Sequence, residues 1–146
     1  MRYYAICPVR NATEKQLRMM QEVVDQVREQ GHHVHYPPTD VDQNCPTGLT
    51  ICAAHLKAMR ECDAVLLFYA ESSGGSKFDL GMAYALDKPV IPLAALEDVP
   101  PGKSYWSVFN TLHVQRTPVM FETLNGNTEN SEFRIYWNRP TDGSSD

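Results

Sequence analysis

The run AVLLFYA at residues 64–70 constrains the fold more than any other segment, because its only polar group is a tyrosine hydroxyl. A strand of this composition has to be covered on both faces, which is typical of the interior of a parallel sheet. Three other short segments rich in β-branched or aromatic residues are bounded by turn formers, at residues 2–6, 32–36 and 89–94. The sequence therefore predicts a sheet with these four strands.

Helical patterns separate the strands, at residues 13–30, 49–61 and 77–86. In the first pattern, Leu17, Met20 and Val24 recur at steps of three and four, which is typical of an amphipathic helix. Strands that alternate with helices favour right-handed crossovers and parallel pairing. We therefore expect an α/β fold with a doubly wound, mainly parallel sheet of the flavodoxin or Rossmann-like kind, with helices on both faces.

The pattern is weaker beyond residue 95. We expect residues 1–138 to form a single domain and residues 139–146 to be a disordered tail. Residues 104–114 are predicted to hold a short helix and an edge strand, and residues 132–138 a late strand or an arm for a partner subunit. The aromatic residues of these two segments suit a core or a subunit interface better than stacking on a base. They are Trp106, Phe109, Tyr136 and Trp137.

Composition excludes several classes of protein. The net charge of −5 argues against binding a nucleic acid polymer, which usually requires a basic face. The apolar runs are shorter than the roughly 20 residues of a membrane helix. Because the first strand is predicted to begin within a few residues of Met1, we expect no signal peptide. The four cysteines, Cys7, Cys45, Cys52 and Cys62, form no CxxC pair and no zinc spacing. We expect free thiols in a reducing cytoplasm.

Three loops would lie at the carboxyl ends of the strands, where open parallel sheets bind ligands. They are residues 7–11, 37–48 and 71–76. The third loop has the sequence ESSGGS directly before a helix, and its glycines, its hydroxyls and the helix-start amides favour an anion. It is not a Walker A loop. A flexible connection without a ligand is the alternative interpretation.

Asp79 follows this loop inside an otherwise apolar run, in the predicted first turn of the helix at residues 77–86. The helix dipole stabilises a negative charge there by about 0.3–1 kcal/mol, so a purely structural role accounts for an acidic residue at this place. A carboxylate at a helix start that faces a ligand is also a suitable nucleophile for an anomeric carbon. The spacing alone does not decide between a structural and a catalytic role for Asp79.

The segment SSGGSKFDLGMAYALDKPV, residues 72–90, resembles the signature of the nucleoside 2-deoxyribosyltransferase-like proteins. These proteins have a glycine-rich loop and then an acidic residue followed by Leu/Ile-Gly-x-Ala-x-Ala-x-x-Lys-x-Val. YAICPVRN at residues 4–11 resembles their first strand and loop, and HLKAMRECDAVLLFYA at residues 55–70 resembles their helix and third strand. The resemblance covers residues 4–92 and keeps the order of the elements.

The resemblance implies an enzyme that cleaves the N-glycosidic bond of a nucleoside or a nucleoside 5′-monophosphate, by hydrolysis or by transfer to another base. It places the nucleophile at Asp79 and a tyrosine that holds it by a hydrogen bond at Tyr4. It also implies a substrate-binding set, with the 5′-phosphate near Arg10 and two of the serines. That set is Cys7, Arg10, Ser73, Gly75, Ser76 and Met82. The chemistry needs no cofactor and no metal, and the family is commonly homo-oligomeric, with a neighbour's C-terminal residues closing the site.

Two positions depart from the family pattern. Asp79 stands where the family usually has Glu, which shortens the reach of the carboxylate by one methylene. His55 stands where the family usually has an Asp that handles base and sugar. His55 is predicted either to act as an acid at the leaving base or to be a buried histidine bonded to a backbone carbonyl. The alternative function is a non-catalytic nucleotide-binding or sensing module, and a third is an NAD-cleaving domain of similar outline.

Weaker signals favour ordinary surface roles. His32, His33 and His35 suggest a metal site, but only His33 and His35 share a strand face and no third ligand is evident. Exposed histidines at a strand end are the preferred interpretation. Glu71 and Glu97 follow strands and are interpreted as solvated loop carboxylates rather than as substitute acids.

Overall fold

The computed structural model describes residues 1–116. The strands are β1 (Arg2–Ile6), β2 (His33–His35), β3 (Ala64–Tyr69) and β4 (Val90–Ala95). The helices are α1 (Glu14–Glu29), α2 (Pro37–Asp40), α3 (Leu49–Glu61), α4 (Gly74–Ala85) and α5 (Tyr105–Arg116). The four strands form one parallel sheet in the order β2-β1-β3-β4.

An apolar cluster covers each face of the sheet. On one face α1 packs against the strands through residues such as Met20 and Val24. On the other face α3, α4 and α5 contribute Met59, Leu80 and Phe109. Every residue of β3 is buried, as its uninterrupted apolar sequence requires. The predicted flavodoxin-like α/β fold with helices on both faces is therefore confirmed.

The strand order decides where a ligand can bind. β1 is central, and Tyr4 in it is paired with His35 of β2 on one side and with Val65 of β3 on the other. The chain leaves β1 in one direction to form β2 and later returns to the other side to form β3. In sheets of this order the binding crevice lies beyond the carboxyl ends of the two strands at the switch point, here β1 and β3.

The start of α4 differs from the prediction, with consequences for Asp79. The Ser73 side chain caps the helix by accepting a hydrogen bond from the Ser76 amide, so the helix begins at Gly74. The glycine-rich segment is therefore largely the first turn of α4 instead of a loop before it. The prediction that Asp79 lies in the first turn is wrong, because that turn contains no acidic residue. Its position is set by tertiary packing and not by a helix-start preference.

Two other predictions need correction. The segment 37–48, predicted as a loop, begins with the single-turn helix α2, which follows from a proline at its start and from the Tyr36 amide donating to Asp40. The edge strand predicted within residues 104–114 is wrong, because α5 runs through this segment. Ser104 explains this helix, since its hydroxyl accepts from the Ser107 amide as an N-cap.

Both aromatic side chains of α5 that the sequence singled out pack on the core. Phe109 is buried, and Trp106 packs on the same cluster with its ring 5.9 Å from that of Tyr69. The predicted late strand at 132–138, with Tyr136 and Trp137, and the predicted tail at 139–146 lie outside the described residues. None of the helices within residues 1–116 is both long and apolar enough to cross a membrane.

Candidate active site

A cavity of about 350 Å³ opens at the carboxyl ends of β1 and β3. All three loops that the sequence singled out contribute to its wall. After the strands, residues 7–11 and Glu97 line the cavity. Its helical lining comes from Gln16 on α1, from Ile51, Cys52 and His55 on α3, and from Asp79 on α4. The rest of this lining is Gln43 and Gly48 before α3 and residues 72–76 around the start of α4.

Asp79 lies in the wall of this cavity with only 5% of its surface exposed. Both oxygens of its carboxylate are engaged. The Tyr4 hydroxyl donates to Oδ2 over 2.9 Å, and Nδ1 of His55 lies 3.2 Å from Oδ1. Because an ionised carboxylate only accepts hydrogen bonds, Nδ1 of His55 carries the hydrogen in this pair. Each oxygen keeps a further lone pair for a reacting atom.

The fold brings these three side chains together from distant parts of the chain. Tyr4 and Asp79 are separated by 75 positions, and His55 and Asp79 by 24. Tyr4 is fully buried on the face of β1 that α3 and α4 cover. Asp79 lies on the buried side of α4, one turn before Ala83. Packing of α3 and α4 on β1 therefore assembles the group.

Burial controls the protonation of the neighbouring acids. It is the main cause that raises the pKa of the Tyr4 phenol, and the negative charge of Asp79 raises it further. The phenol therefore remains a hydrogen-bond donor at all physiological pH values. Burial, and then Asp79, likewise raise the pKa of the Cys7 thiol above its usual range, so that Cys7 lines the cavity as a neutral thiol.

The structure decides part of the question about His55. Its Nδ1 is bonded to the carboxylate of Asp79 instead of a backbone carbonyl, so the second of the two interpretations is wrong. Its Nε2 is buried and has no hydrogen-bond partner within the described part of the chain. In this arrangement neither nitrogen points freely to a leaving base. The geometry is that of a residue that holds Asp79.

The serines at the start of α4 use most of their donors within the protein. Ser72 donates from its amide and its hydroxyl to the carboxylate of Glu97, over 2.8 and 2.6 Å. Ser73 donates its hydroxyl to the Ser76 hydroxyl over 2.9 Å. Gly74 and Gly75 line the cavity at the positive end of α4, where the first amides of a helix have no intrahelical acceptor.

The remaining residues predicted to bind substrate divide into two groups. Arg10 and Gly75 line the cavity together with Cys7, Ser73 and Ser76. Arg10 is exposed, and none of the ion pairs within residues 1–116 includes it. Met82 is not part of the lining, because it points from α4 to the apolar cluster under α5. This placement gives no support to a role for Met82 in binding.

Several cavity residues were missed by sequence reasoning. Gln16, Gln43, Ile51 and Cys52 lie in the wall. The only signal for Gln43 was the length of the loop that contains it, and the other three lie on helices whose faces the periodicity does not assign to a ligand. Glu97 lines the cavity too, although it was interpreted as an ordinary loop carboxylate.

The other candidate residues have local explanations. Glu71 accepts hydrogen bonds from the Tyr69 hydroxyl over 2.6 Å and from the Lys77 ammonium over 2.8 Å, and it does not line the cavity. Across the described residues, no three His, Cys, Asp or Glu side chains are grouped so that they could hold a metal ion. All four cysteines are free thiols, as predicted.

Comparison with known proteins agrees with the resemblance. The sequence profile of the family described as Nucleoside 2-deoxyribosyltransferase matches residues 7–110. The chain belongs to this family. The predictions of the family and of an enzyme are therefore confirmed at the level of the family. A search of curated protein sequences gave no match.

A solved structure has the same fold. A 2-deoxyribosyltransferase of Bacillus psychrosaccharolyticus is similar over 93% of this chain and 99% of its own, with a TM-score of 0.54 and 19% sequence identity. At this identity the similarity concerns the fold alone. The CMP N-glycosidase BcmB of Clostridium botulinum matches 62% of this chain and 66% of its own, with a TM-score of 0.46 and 21% identity.

Proposed function

We propose that this protein cleaves the N-glycosidic bond of a nucleoside or a nucleoside 5′-monophosphate, with Asp79 as the nucleophile. One observation carries the proposal. The carboxylate of Asp79 borders the cavity at the switch point of the sheet, and a buried phenol and an imidazole hold its two oxygens at 2.9 and 3.2 Å. Membership of the family supports the same chemistry.

The reaction has two steps. An oxygen of Asp79 forms a bond to C1′ while the bond from C1′ to the base nitrogen breaks, and the electron pair leaves with the base, which takes a proton from cavity water. Water then attacks C1′ of the glycosyl ester, the bond to the Asp79 oxygen breaks, and the carboxylate and one proton are released. A second base in place of water would give transfer instead of hydrolysis.

Tyr4 and His55 serve to fix the carboxylate. An Asp reaches less far than the Glu usual in the family, and a misplacement of about 1 Å can cost about 100-fold in rate. Hydrogen bonds to both oxygens restrict the rotation of the Asp79 side chain. A carboxylate fixed in this way loses less freedom when it attacks, which offsets part of the shorter reach.

Arg10 and the start of α4 are the proposed site of the 5′ group. Arg10 offers an exposed guanidinium to the cavity, and Gly74 and Gly75 offer amides at a helix N-terminus. This combination suits a phosphate. The carboxylate of Glu97 in the same wall opposes it, so that both a free nucleoside and its monophosphate remain candidate substrates.

Incubation with a panel of ribo- and deoxyribonucleosides and their 5′-monophosphates tests the proposal, with free base measured by chromatography. NAD belongs in the panel, because release of nicotinamide alone would favour the NAD-cleaving alternative. Asp79→Asn keeps the shape and should abolish base release. Asp25→Asn, on the exposed side of α1, is the matched control. Equal activity of Asp79→Asn and the wild type would contradict the assignment.

A non-catalytic binding module is the second candidate. It is favoured by the low exposure of Asp79, whose side chain is 7% accessible. A nucleotide that raises the melting temperature of the folded protein, without release of base from any member of the panel, would establish binding alone. The predicted homo-oligomer and the cytoplasmic location stay predictions, the first of which sedimentation equilibrium would test.

A further inference from the structure

His35 lies behind the group that holds Asp79. It is on β2, directly paired with Tyr4 of β1. The centroid of its ring is 5.2 Å from that of Tyr4, with the planes inclined by 33°. It is also 6.5 Å from the ring of His55, in an edge-on arrangement of 79°. His35 therefore contacts both side chains that bind the carboxylate, and it does not itself border the active-site cavity.

His35 borders a second, outer cavity that Tyr4 does not line. The outer cavity has a volume of about 380 Å³, and its lining also includes Arg28, Asp40 and Glu61. Nε2 of His35 is buried and has no hydrogen-bond partner among the described residues. An Nε2 without a hydrogen can be accommodated at this position, whereas an Nε2–H would be a buried donor without an acceptor. The ring thus prefers the tautomer with its hydrogen on Nδ1.

The surrounding charges act in both directions on this ring. Burial is the main cause that lowers the pKa of His35, and His55 lowers it as well. The carboxylates of Asp40, Asp79 and Glu61 raise it, but the net direction is downward. The imidazole accordingly remains neutral at pH 7 and packs as an aromatic ring.

We propose that His35 is a positioning residue. Its ring holds Tyr4 and His55 in place on the carboxylate of Asp79 and keeps water of the outer cavity away from the bond between Tyr4 and Asp79. The inference rests on the proposed function for its catalytic consequence. Its structural part concerns the state of Tyr4 and can be measured without turnover.

Three variants test the role. His35→Ala removes the ring and opens a path from the outer cavity, and kcat should fall about 10-fold or more while KM stays within about threefold, because the nucleophile loses its alignment. His35→Phe retains a flat ring and should restore kcat to within about threefold of the wild type. His33→Ala, on the same face of β2 but exposed, is the matched control and should behave as the wild type.

A second readout follows the Tyr4 phenol by ¹³C NMR of labelled tyrosine, assigned with Tyr4→Phe. In the wild type and in His35→Phe the phenol should not ionise below the pH at which the fold is lost. In His35→Ala it should ionise at lower pH, because water replaces the ring that excludes it. A role of His35 in stability alone would leave this titration unchanged.

The outcomes separate the two proposals. A wild type that releases no base from any nucleoside or monophosphate refutes the proposed function, and the Tyr4 titration then decides the positioning role alone. A folded His35→Ala with kcat within about twofold of the wild type and an unchanged Tyr4 titration overturns the positioning role. If His35→Ala does not fold, His35→Leu fills the volume without a flat ring and is judged by the same criteria.

Discussion

The hydrogen bond between Tyr4 and Asp79 links the stability of the protein to its proposed activity. Tyr4→Phe removes a single oxygen atom, the donor of the 2.9 Å bond to Oδ2 of Asp79. The ring of Tyr4 is fully buried and Asp79 is 5% exposed, so little else in the structure has to change. The variant therefore measures this bond with little disturbance of the packing.

The environment of this bond sets the expected loss of stability and of activity in Tyr4→Phe. A hydrogen bond to an ionised group contributes about 1.5–3 kcal/mol to stability. Because Asp79 borders the cavity, water can partly replace the lost donor, and the expected loss is about 2 kcal/mol. This corresponds to a change of about 30-fold in the ratio of folded to unfolded protein. The carboxylate also loses one of its two anchors, and we expect kcat/KM to fall about 10- to 100-fold.

Urea denaturation with linear extrapolation measures the first quantity, and base release from the best substrate of the panel measures the second. Tyr3→Phe is the matched control, because its hydroxyl lies on the opposite face of β1 and donates to the thioether of Met1 over 3.4 Å. It should lose less stability than Tyr4→Phe and retain activity. If Tyr4→Phe matched the wild type in both measurements, the assignment of Tyr4 as an anchor of the nucleophile would be refuted.

Other predictions concern charge and protonation. Arg10→Gln should raise KM for a nucleoside 5′-monophosphate about 10-fold and leave KM for the free nucleoside unchanged; equal effects on both would contradict a phosphate site. Because burial lowers the pKa of His35, the unfolded chain binds the proton more readily than the folded protein does. The free energy of unfolding should therefore fall as the pH drops below about 6.5. His35→Phe should reduce this loss, as measured by urea denaturation at several pH values. Hydrogen bonds with hydroxyls, first of all that of Thr47, lower the pKa of the partly exposed Cys45 thiol to about 6, whereas burial raises that of Cys62 to about 11. Iodoacetamide at pH 7 should therefore modify Cys45 before the buried thiols Cys7 and Cys62, as followed by mass spectrometry of peptides, and the reverse order would contradict the described environments.

The local patterns of the sequence were sufficient for the fold. The apolar run of β3 required cover on both faces, and the alternation of strands and helices required parallel pairing. The bounds of α3 follow directly from its pattern, and Thr13 forms a capping box at the start of α1. These features depend on neighbouring residues along the chain, so the sequence contains them.

The start of α4 shows the limit of local patterns. Glycines before an apolar helix are typical of a loop, but the hydroxyl of Ser73 caps the helix three residues earlier than predicted. Whether a glycine-rich segment joins a helix depends on the strength of the cap and on the packing of the turns that follow. Because α4 begins earlier than predicted, Asp79 lies in its second turn and not in its first. Its burial therefore results from the packing of α4 on the sheet.

The sequence by itself determined the fold class and the family, because both are recorded in the order and spacing of residues along the chain, and it singled out Asp79 as a candidate nucleophile. Only the tertiary structure decided that His55 bonds to Asp79, that Met82 faces the core and that His35 lies against Tyr4. These contacts join residues on separate strands and helices, and their distances depend on strand order, register and helix packing. No local pattern specifies such distances, since they are fixed when the two faces of the sheet are covered.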